Sequence, residues 1–296
     1  MIKNKLSGLG TALVTPFTTS GEVDYAALER LLEHQLKGGV DYIVVLGTTG
    51  EAATLSAAEH KAVRQFIVQY INGRLPLVLG VGGNCTARVV EQLAELHDEL
   101  LRDYTAILSV CPYYNKPNQA GLFAHFNAIA EASPVPVILY NVPGRTGVNL
   151  LPETVIRLWE AHPEKIVAIK EASGKVDQIK HLITLREYHK GAFLILSGDD
   201  SITVQLMRAG ADGLISVLSN ALPEEARQLV YEPTGRQQSK LSLTNHLLFA
   251  EGNPAGVKTV LHEMGLIENV LRLPLVPCTP LLQEEIREEL TYQKFI

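Results

Sequence analysis

Residues 166–174 read Ile-Val-Ala-Ile-Lys-Glu-Ala-Ser-Gly, a buried-strand pattern with a charged residue at its end. Four apolar residues, three of them β-branched, are typical of a fully buried parallel strand. The next residue is Lys170, and a lysine is rarely placed against a buried strand without a purpose. Burial disfavours the ammonium form, and a neutral amine can attack a carbonyl carbon to form a Schiff base. The alternative is a strand-end lysine that reaches solvent or pairs with Glu171.

The strand at residues 166–169 is one of a series. Eight such segments start near residues 9, 42, 76, 106, 136, 166, 193 and 213, and a helical pattern fills each gap. This rhythm of βα units within about 220 residues predicts an α/β fold, a (β/α)8 TIM barrel, with an open doubly wound sheet as the alternative. The later chain contains only helical patterns. We therefore expect a barrel over residues 1–222 and a C-terminal helical region, packed on the barrel, over residues 223–296.

Side chains that can cap helices mark several predicted helix starts. Asp24 precedes an amphipathic segment, and Ser56 with Glu59 forms a capping-box pattern. Thr86 and Asp177 are predicted as further N-caps by the same rule.

Composition narrows the class of protein. The chain has 296 residues, of which 46% are hydrophobic, and a net charge of −6. Mild acidity argues against nucleic acid or an anionic membrane as the main partner, and no apolar run approaches the length of a membrane span. Cys85, Cys111 and Cys278 lack metal-ligand spacing and fit free thiols in a reducing cytoplasm. We expect a cytoplasmic protein with no metal site, no nucleic-acid partner and no membrane partner.

Polar residues follow the predicted strands at their C-terminal ends, where the active site of a (β/α)8 barrel lies. Thr48 and Thr49 follow the second strand and Tyr114 follows the fourth, while Tyr140 and Lys170 end the fifth and sixth. The hydroxyl groups of Thr49, Tyr114 and Tyr140 are of the chemical types that move protons during imine formation. Their positions therefore favour the Schiff-base interpretation of Lys170.

Each of these residues also has a purely structural interpretation. Thr48 and Thr49 lie between glycines and could form a turn, while Tyr114 could pack at an interface and Tyr140 in the core. Arg145, in the loop after the fifth strand, could hold a carboxylate in bidentate fashion or be an ordinary loop cation. Residues 47–51 lack the Gly-Lys-Ser/Thr ending of a phosphate loop, so we reject that function for them.

Five motifs carry a resemblance to a known family. They are Gly-Thr-Thr-Gly-Glu at 47–51, Pro-Tyr-Tyr-Asn-Lys-Pro at 112–117, Tyr-Asn-Val-Pro-Gly-Arg-Thr-Gly at 140–147, Ile-Lys-Glu-Ala-Ser-Gly at 169–174 and Leu-Ser-Gly-Asp-Asp at 196–200. With them the chain resembles the dihydrodipicolinate synthase family, among the pyruvate-dependent Schiff-base aldolases, from about residue 9 to residue 280.

The resemblance implies a lyase of the class I aldolase type. A 4-hydroxy-tetrahydrodipicolinate synthase condenses pyruvate with L-aspartate 4-semialdehyde in the diaminopimelate and lysine pathway. The alternative is a sister aldolase, such as N-acetylneuraminate lyase or a 2-keto-3-deoxy sugar acid aldolase. A sugar-acid enzyme would want more hydroxyl partners where this chain has Arg145, so the synthase is favoured. A non-catalytic barrel would not require this set of groups at one rim.

Roles for the catalytic residues also follow from the resemblance. Lys170 would form an imine with pyruvate, which makes a separate cofactor unnecessary. Thr49, Tyr140 and Tyr114 would relay protons, with Tyr114 entering from a neighbouring subunit. The usual assembly of the family is a homotetramer built as a dimer of dimers, and the borrowed tyrosine would make the tight dimer the smallest active unit.

Substrate binding is implied in the same way. Thr48 and Thr49 would bind the pyruvate carboxylate, and Arg145 would hold the carboxylate of the semialdehyde. The backbone carbonyl of Ile215 matches a position that the family places near the lysine.

One informative departure from the family lies at an effector pocket. Many members are inhibited by lysine, which binds a Ser, two His, an Asn, a Glu and a Tyr at the tight-dimer interface. The Glu that would pair with an ammonium group is replaced here by Arg88, a cation, which would cost affinity. We expect weak or absent inhibition by lysine. The matching positions are Ala52, Ala57, His60, Asn84, Arg88 and Tyr113.

Overall fold

The structure, a computed structural model, describes residues 3–296. Its eight parallel strands pair in chain order, and the eighth pairs with the first to close the barrel. This confirms the predicted (β/α)8 barrel and rules out the open sheet, which would leave two unpaired edges. The strands are β1 Gly8–Ala12, β2 Tyr42–Val45, β3 Leu77–Gly80, β4 Ala106–Val110, β5 Val137–Asn141, β6 Ile166–Glu171, β7 Leu194–Ser197 and β8 Gly213–Ser216.

Helices alternate with the strands and then continue alone to the C-terminal end. In chain order they are α1 Lys3–Leu6, α2 Tyr25–Lys37, α3 Ala57–Ile71, α4 Thr86–Glu95, α5 His97–Asp103, α6 Gln119–Ala132, α7 Pro143–Thr146, α8 Pro152–Ala161, α9 Val176–Tyr188, α10 Thr203–Arg208, α11 Pro223–Tyr231, α12 Gly235–Lys240, α13 Ser242–Ala250, α14 Ala255–Glu263 and α15 Pro280–Gln293. Short 3₁₀ turns cover Thr48–Gly50, Ala52–Thr54, Asp200–Ile202 and Leu218–Asn220.

Two apolar clusters hold the barrel, one inside the strands and one between strands and helices. Inside, Tyr42, Ile138 and Ile215 are fully buried. A Cβ on Gly10 would lie 2.1 Å from the Tyr42 ring, so the glycine makes room for that ring in the interior. Burying one such large apolar side chain stabilises the fold by about 1.5–3 kcal/mol, so these layers supply much of the driving force for closure.

Two of the predicted N-caps are correct and two are wrong. Asp24 accepts a hydrogen bond from the first turn of α2, and Ser56 with Glu59 forms the capping box of α3. Thr86 is already the first residue of α4, and its hydroxyl bonds the Nδ1 atom of His125 instead of its own helix. Asp177 lies inside the first turn of α9, where its charge complements the helix dipole without capping it.

The region after residue 222 packs on the barrel. Helix α11 lies against β1 and β8, in the place of an eighth barrel helix. Helices α13, α14 and α15 pack on one another, and α13 and α14 touch the 3₁₀ turns that follow β7 and β8. The division into two regions at residue 222 stays a prediction. Among the helices of residues 3–296, none is long and apolar enough to cross a membrane.

Candidate active site

Lys170 lies at the C-terminal end of β6, and its side chain turns into the barrel. Only 5% of the residue is exposed, and Nζ stands 4.5 Å from the centre of the Tyr140 ring. Tyr140 is its direct neighbour on β5 in the strand register. A Cβ on Gly198 would approach the Lys170 side chain to 3.0 Å, so this glycine leaves space for it. These contacts rule out the alternative of a strand-end lysine that extends into solvent.

Glu171 does not pair with Lys170, because successive residues of a strand point to opposite faces. Its carboxylate accepts hydrogen bonds from the amides of Asn141 and Gln178 and from the backbone N–H of Ser173. Burial raises the pKa of Glu171, and these hydrogen bonds oppose the rise. The network joins β5 to β6 on the strand face opposite Tyr140 and Lys170. The Lys170 amine therefore has no carboxylate partner on its own strand.

A cavity of about 730 Å³ opens above Lys170 at the C-terminal rim of the barrel. The structure brings four of the predicted site residues to this one cavity: Lys170, Tyr140, Thr49 and Arg145. A buried amine, two hydroxyl groups and a guanidinium can together bind a keto acid, form an imine and hold a second carboxylate. The shared rim position predicted for them from strand ends is therefore confirmed for these four.

Asn253 is a cavity residue that sequence reasoning missed. Its Nδ2 atom donates a 2.9 Å hydrogen bond to the Thr49 hydroxyl, and its backbone carbonyl accepts a 2.9 Å hydrogen bond from Arg145. It follows α13, where Gly252 and Pro254 indicated only a break between helices. The one available signal was a polar residue inside that break. Nothing local connects it to Thr49, 204 positions earlier, or to Arg145, 108 positions earlier.

Three predicted catalytic or substrate-binding residues lie outside this cavity: Tyr114, Ile215 and Thr48. Tyr114 is 88% exposed, with a left-handed backbone φ of 74°, and the chain does not bring it to Lys170 by itself. Ile215 is fully buried in the inner cluster on β8, next to Gly10 of β1. In the described residues no hydrogen bond joins Thr49 to Tyr140, so the predicted proton relay is not closed within one chain.

A second cavity, of about 500 Å³, lies beside the first and shares Tyr140 and Arg145 with it. Thr48 lines this second cavity, whereas the neighbouring Thr49 lines the first. Of the six positions matched to the effector pocket, three line it. These are Ala52, His60 and Tyr113.

The other three effector positions lie away from that cavity. Ala57 and Arg88 are exposed on α3 and α4, and the Asn84 carbonyl accepts a hydrogen bond from Asn115. Across residues 3–296, no three His, Cys, Asp or Glu side chains are grouped as a metal site requires. The expectation of a site without metal or cofactor stays a prediction.

Comparison with known proteins decides the family. The family model described as the dihydrodipicolinate synthetase family matches residues 5–293. The chain belongs to the dihydrodipicolinate synthase family. A curated relative from Parabacteroides distasonis is called 4-hydroxy-tetrahydrodipicolinate synthase. It is 47% identical over 292 residues, and the alignment covers 96% of this chain and 96% of the relative.

Solved structures of the dihydrodipicolinate synthase family have the same fold. The enzyme from Thermotoga maritima superposes with a TM-score of 0.93 at 38% identity and covers 99% of this chain and 100% of its own. A structure from Acinetobacter baumannii, described as complexed with pyruvate, has a TM-score of 0.91 at 41% identity and covers 98% of this chain and 100% of its own. The resemblance inferred from the five motifs is therefore confirmed.

Proposed function

We propose that this chain is a 4-hydroxy-tetrahydrodipicolinate synthase that condenses pyruvate with L-aspartate 4-semialdehyde. The observation that carries the proposal is the buried Lys170 amine, 4.5 Å from the Tyr140 ring at the floor of a cavity that also contains Thr49 and Arg145. Curated relatives that bear this name and share 41–48% of their residues with the chain support it.

The first covalent step is assigned to Lys170. Its amine adds to the keto carbon of pyruvate, and water leaves as the imine forms. Loss of a proton from the pyruvate methyl group then gives an enamine, which is a carbon nucleophile. These proton transfers are assigned to the hydroxyl groups of Tyr140 and Thr49, which line the same cavity as Lys170. A carboxylate of pyruvate is assigned to the hydroxyls and backbone N–H groups of the Thr48–Thr49 turn.

The second step joins the two substrates. The enamine carbon bonds to the aldehyde carbon of the semialdehyde, and the aldehyde oxygen takes up a proton. The amine of the semialdehyde then attacks the imine carbon, so that the ring closes and Lys170 is released. Arg145, at the cavity mouth, is assigned to the carboxylate of the semialdehyde, which suits a planar guanidinium.

Trapping and product assays test the proposal together. Borohydride reduction in the presence of pyruvate should add the mass of the reduced adduct to the peptide that contains Lys170. A coupled assay should then show turnover with aspartate semialdehyde and none with N-acetylneuraminate. Absence of the adduct would refute the imine mechanism, while an adduct with turnover of the sugar acid alone would assign the chain to the sister aldolases.

A dimer that lends Tyr114 across its interface is also part of the proposal. Tyr114 is 88% exposed and has a left-handed backbone conformation. An aromatic side chain exposed in this way fits a residue that inserts into a partner subunit. One solved relative is described as a monomeric variant, so assembly varies among similar chains. Analytical ultracentrifugation should give a homotetramer of tight dimers, and a fully active monomer would refute the borrowed tyrosine.

A further inference from the structure

Glu51 is the part of the Gly-Thr-Thr-Gly-Glu motif that the reaction does not use. It lies two residues after Thr49, between the two 3₁₀ turns, and its side chain is completely buried. Its backbone has a left-handed φ of 51°, a conformation that a residue with a side chain keeps only where its surroundings hold it. Burying a carboxylate is costly unless it is paired, so the contacts of Glu51 define its role.

Both carboxylate oxygens of Glu51 are bound by the C-terminal helical region. The Nζ atom of Lys258, on α14, forms an ion pair with Oε1, and the Lys258 side chain is also 0% exposed. The backbone N–H of Arg272 donates to Oε2 at 3.2 Å. Lys258 also donates to the Val270 carbonyl at 3.0 Å and lies 4.1 Å from the centre of the Phe17 ring.

The charge of Lys258 is balanced against its burial. Desolvation lowers the pKa of Lys258 to about 8, and the Glu51 carboxylate opposes this by favouring the ammonium form. The two side chains meet in a place that water does not reach. A buried ion pair is poor evidence for stability, because apolar residues of similar shape often serve as well.

The turn between Thr48 and Thr54 has little freedom to move independently of Glu51. Thr15 donates to the Gly50 carbonyl at 2.7 Å, and a Cβ on Gly50 would lie 3.0 Å from the Leu13 carbonyl. At the far end of the turn, Arg272 donates to the Thr54 carbonyl at 3.1 Å. Only the tightly packed Gly50 separates Glu51 from Thr49. A shift of the Glu51 carboxylate would therefore move Thr49 as well.

We propose that the buried Glu51–Lys258 ion pair positions the Thr49 hydroxyl in the cavity above Lys170, which makes Glu51 and Lys258 positioning residues of the reaction. This inference rests on the proposed function of the same site. Neither side chain lines the Lys170 cavity, so both act through the turn that carries Thr49. The α14 helix, at the far end of the sequence, thereby becomes part of the active site.

The test compares folding with catalysis in neutral variants of the pair. Lys258→Met alone leaves a buried unpaired carboxylate and should lower the melting temperature strongly. The double variant Glu51→Gln with Lys258→Met removes both charges, so its melting temperature should recover towards the wild type. Its kcat/KM for pyruvate should nevertheless stay at least about tenfold below the wild type, because the amide does not fix the turn as the ion pair does.

The variant Glu99→Gln is a matched control, because it breaks the Arg64–Glu99 ion pair on α3 and α5 away from the cavity. It should keep wild-type kinetics. A double variant with wild-type kcat and KM would overturn the positioning role. If the double variant does not fold, Glu51→Gln alone, which keeps the side-chain shape, gives the same comparison, and kcat/KM within twofold of the wild type would overturn the proposal.

Borohydride trapping separates this inference from the proposed function. If the wild type forms no pyruvate adduct, the proposed function fails. If the wild type forms the adduct and the Glu51 variants do so with unchanged pyruvate dependence, only the positioning role fails. We expect the variants to form the adduct at saturating pyruvate but to require roughly tenfold more pyruvate for half-maximal trapping.

Discussion

The two halves of the active-site rim are built in different ways. On one side, Tyr140 and Lys170 are carried by β5 and β6 and are neighbours because the strands pair in register. On the other side, Thr49 sits on a turn that depends on Asn253 and Lys258, about two hundred residues further along the chain. Strand-borne groups need only the barrel, whereas loop-borne groups need support from a distant segment.

The largest effect should come from the strand-borne nucleophile. In Lys170→Ala the imine cannot form, so we expect turnover to fall by roughly 10⁴-fold or more, with little change in melting temperature. Steady-state kinetics and borohydride trapping measure this. Lys175→Ala, an exposed lysine five residues later, should behave as the wild type. Full turnover in Lys170→Ala would show that the reaction does not need the strand-borne amine.

Tyr140→Phe tests the second strand-borne group. The phenyl ring keeps the contact with Lys170 but lacks the hydroxyl that is assigned to proton transfer, so kcat should fall roughly 10²-fold. Tyr104→Phe is the matched control, because the buried Tyr104 hydroxyl has no hydrogen-bond partner in the described residues. Equal activity of the two phenylalanine variants would exclude the Tyr140 hydroxyl from catalysis.

Asn253→Ala tests the loop-borne half and should have a smaller effect. It removes the 2.9 Å hydrogen bond to the Thr49 hydroxyl, and a single such bond contributes on the order of 1 kcal/mol, so kcat/KM should fall about fivefold. The control is Asn269→Ala in the same C-terminal region, which bonds Thr259 and lies outside the cavity. A loss as large as that in Tyr140→Phe would contradict the difference between the two halves.

Lysine sensitivity tests the cavity beside the turn. Ala52, His60 and Tyr113 line it, whereas Arg88, at the position matched to the family's acidic residue, is an exposed cation on α4 outside the cavity. We expect lysine at about 1 mM to inhibit the activity by less than half, because an ammonium group without an acidic partner binds weakly. Activity that halves at sub-millimolar lysine would disprove this expectation. Arg88→Glu should increase the inhibition.

His125 lies on α6, outside both halves, and should affect stability without affecting activity. Burial lowers the pKa of His125 to about 4, with its Nδ1 atom bonded to Thr86. Below pH about 6.5, the usual pKa of histidine, His125 takes up a proton in the unfolded chain but stays neutral in the folded chain. Its contribution to the free energy of unfolding is therefore complete above pH about 6.5 and is lost as the pH falls towards about 4.

Denaturant unfolding at two pH values measures the His125 effect. Between pH 7 and pH 5 the wild type should lose up to about 2 kcal/mol that the His125→Gln variant retains. Both proteins should have the same kcat at pH 7. An identical loss in the two proteins would show that His125 is not the group responsible.

Prediction from sequence succeeded where a property is repeated or local. The eight strand positions, Lys170 at a strand end and the capping box at Ser56 follow from periodicities and short-range hydrogen bonds. The caps predicted at Thr86 and Asp177 failed, because a tertiary contact with His125 and a shift of the helix start decided those residues. Asn253 was missed because its partners are distant in the chain.

By itself the sequence determined the barrel, the family and the position of Lys170 at the end of a buried strand. Each is encoded by apolar spacing or by short motifs whose chemistry does not depend on distant contacts. Only the tertiary structure decided which groups share a cavity, that Asn253 joins Thr49 to Arg145, and that Glu51 meets Lys258 out of reach of water. These depend on how α13 and α14 fold back over the barrel, and the packing of helices on a barrel leaves no local pattern in either segment.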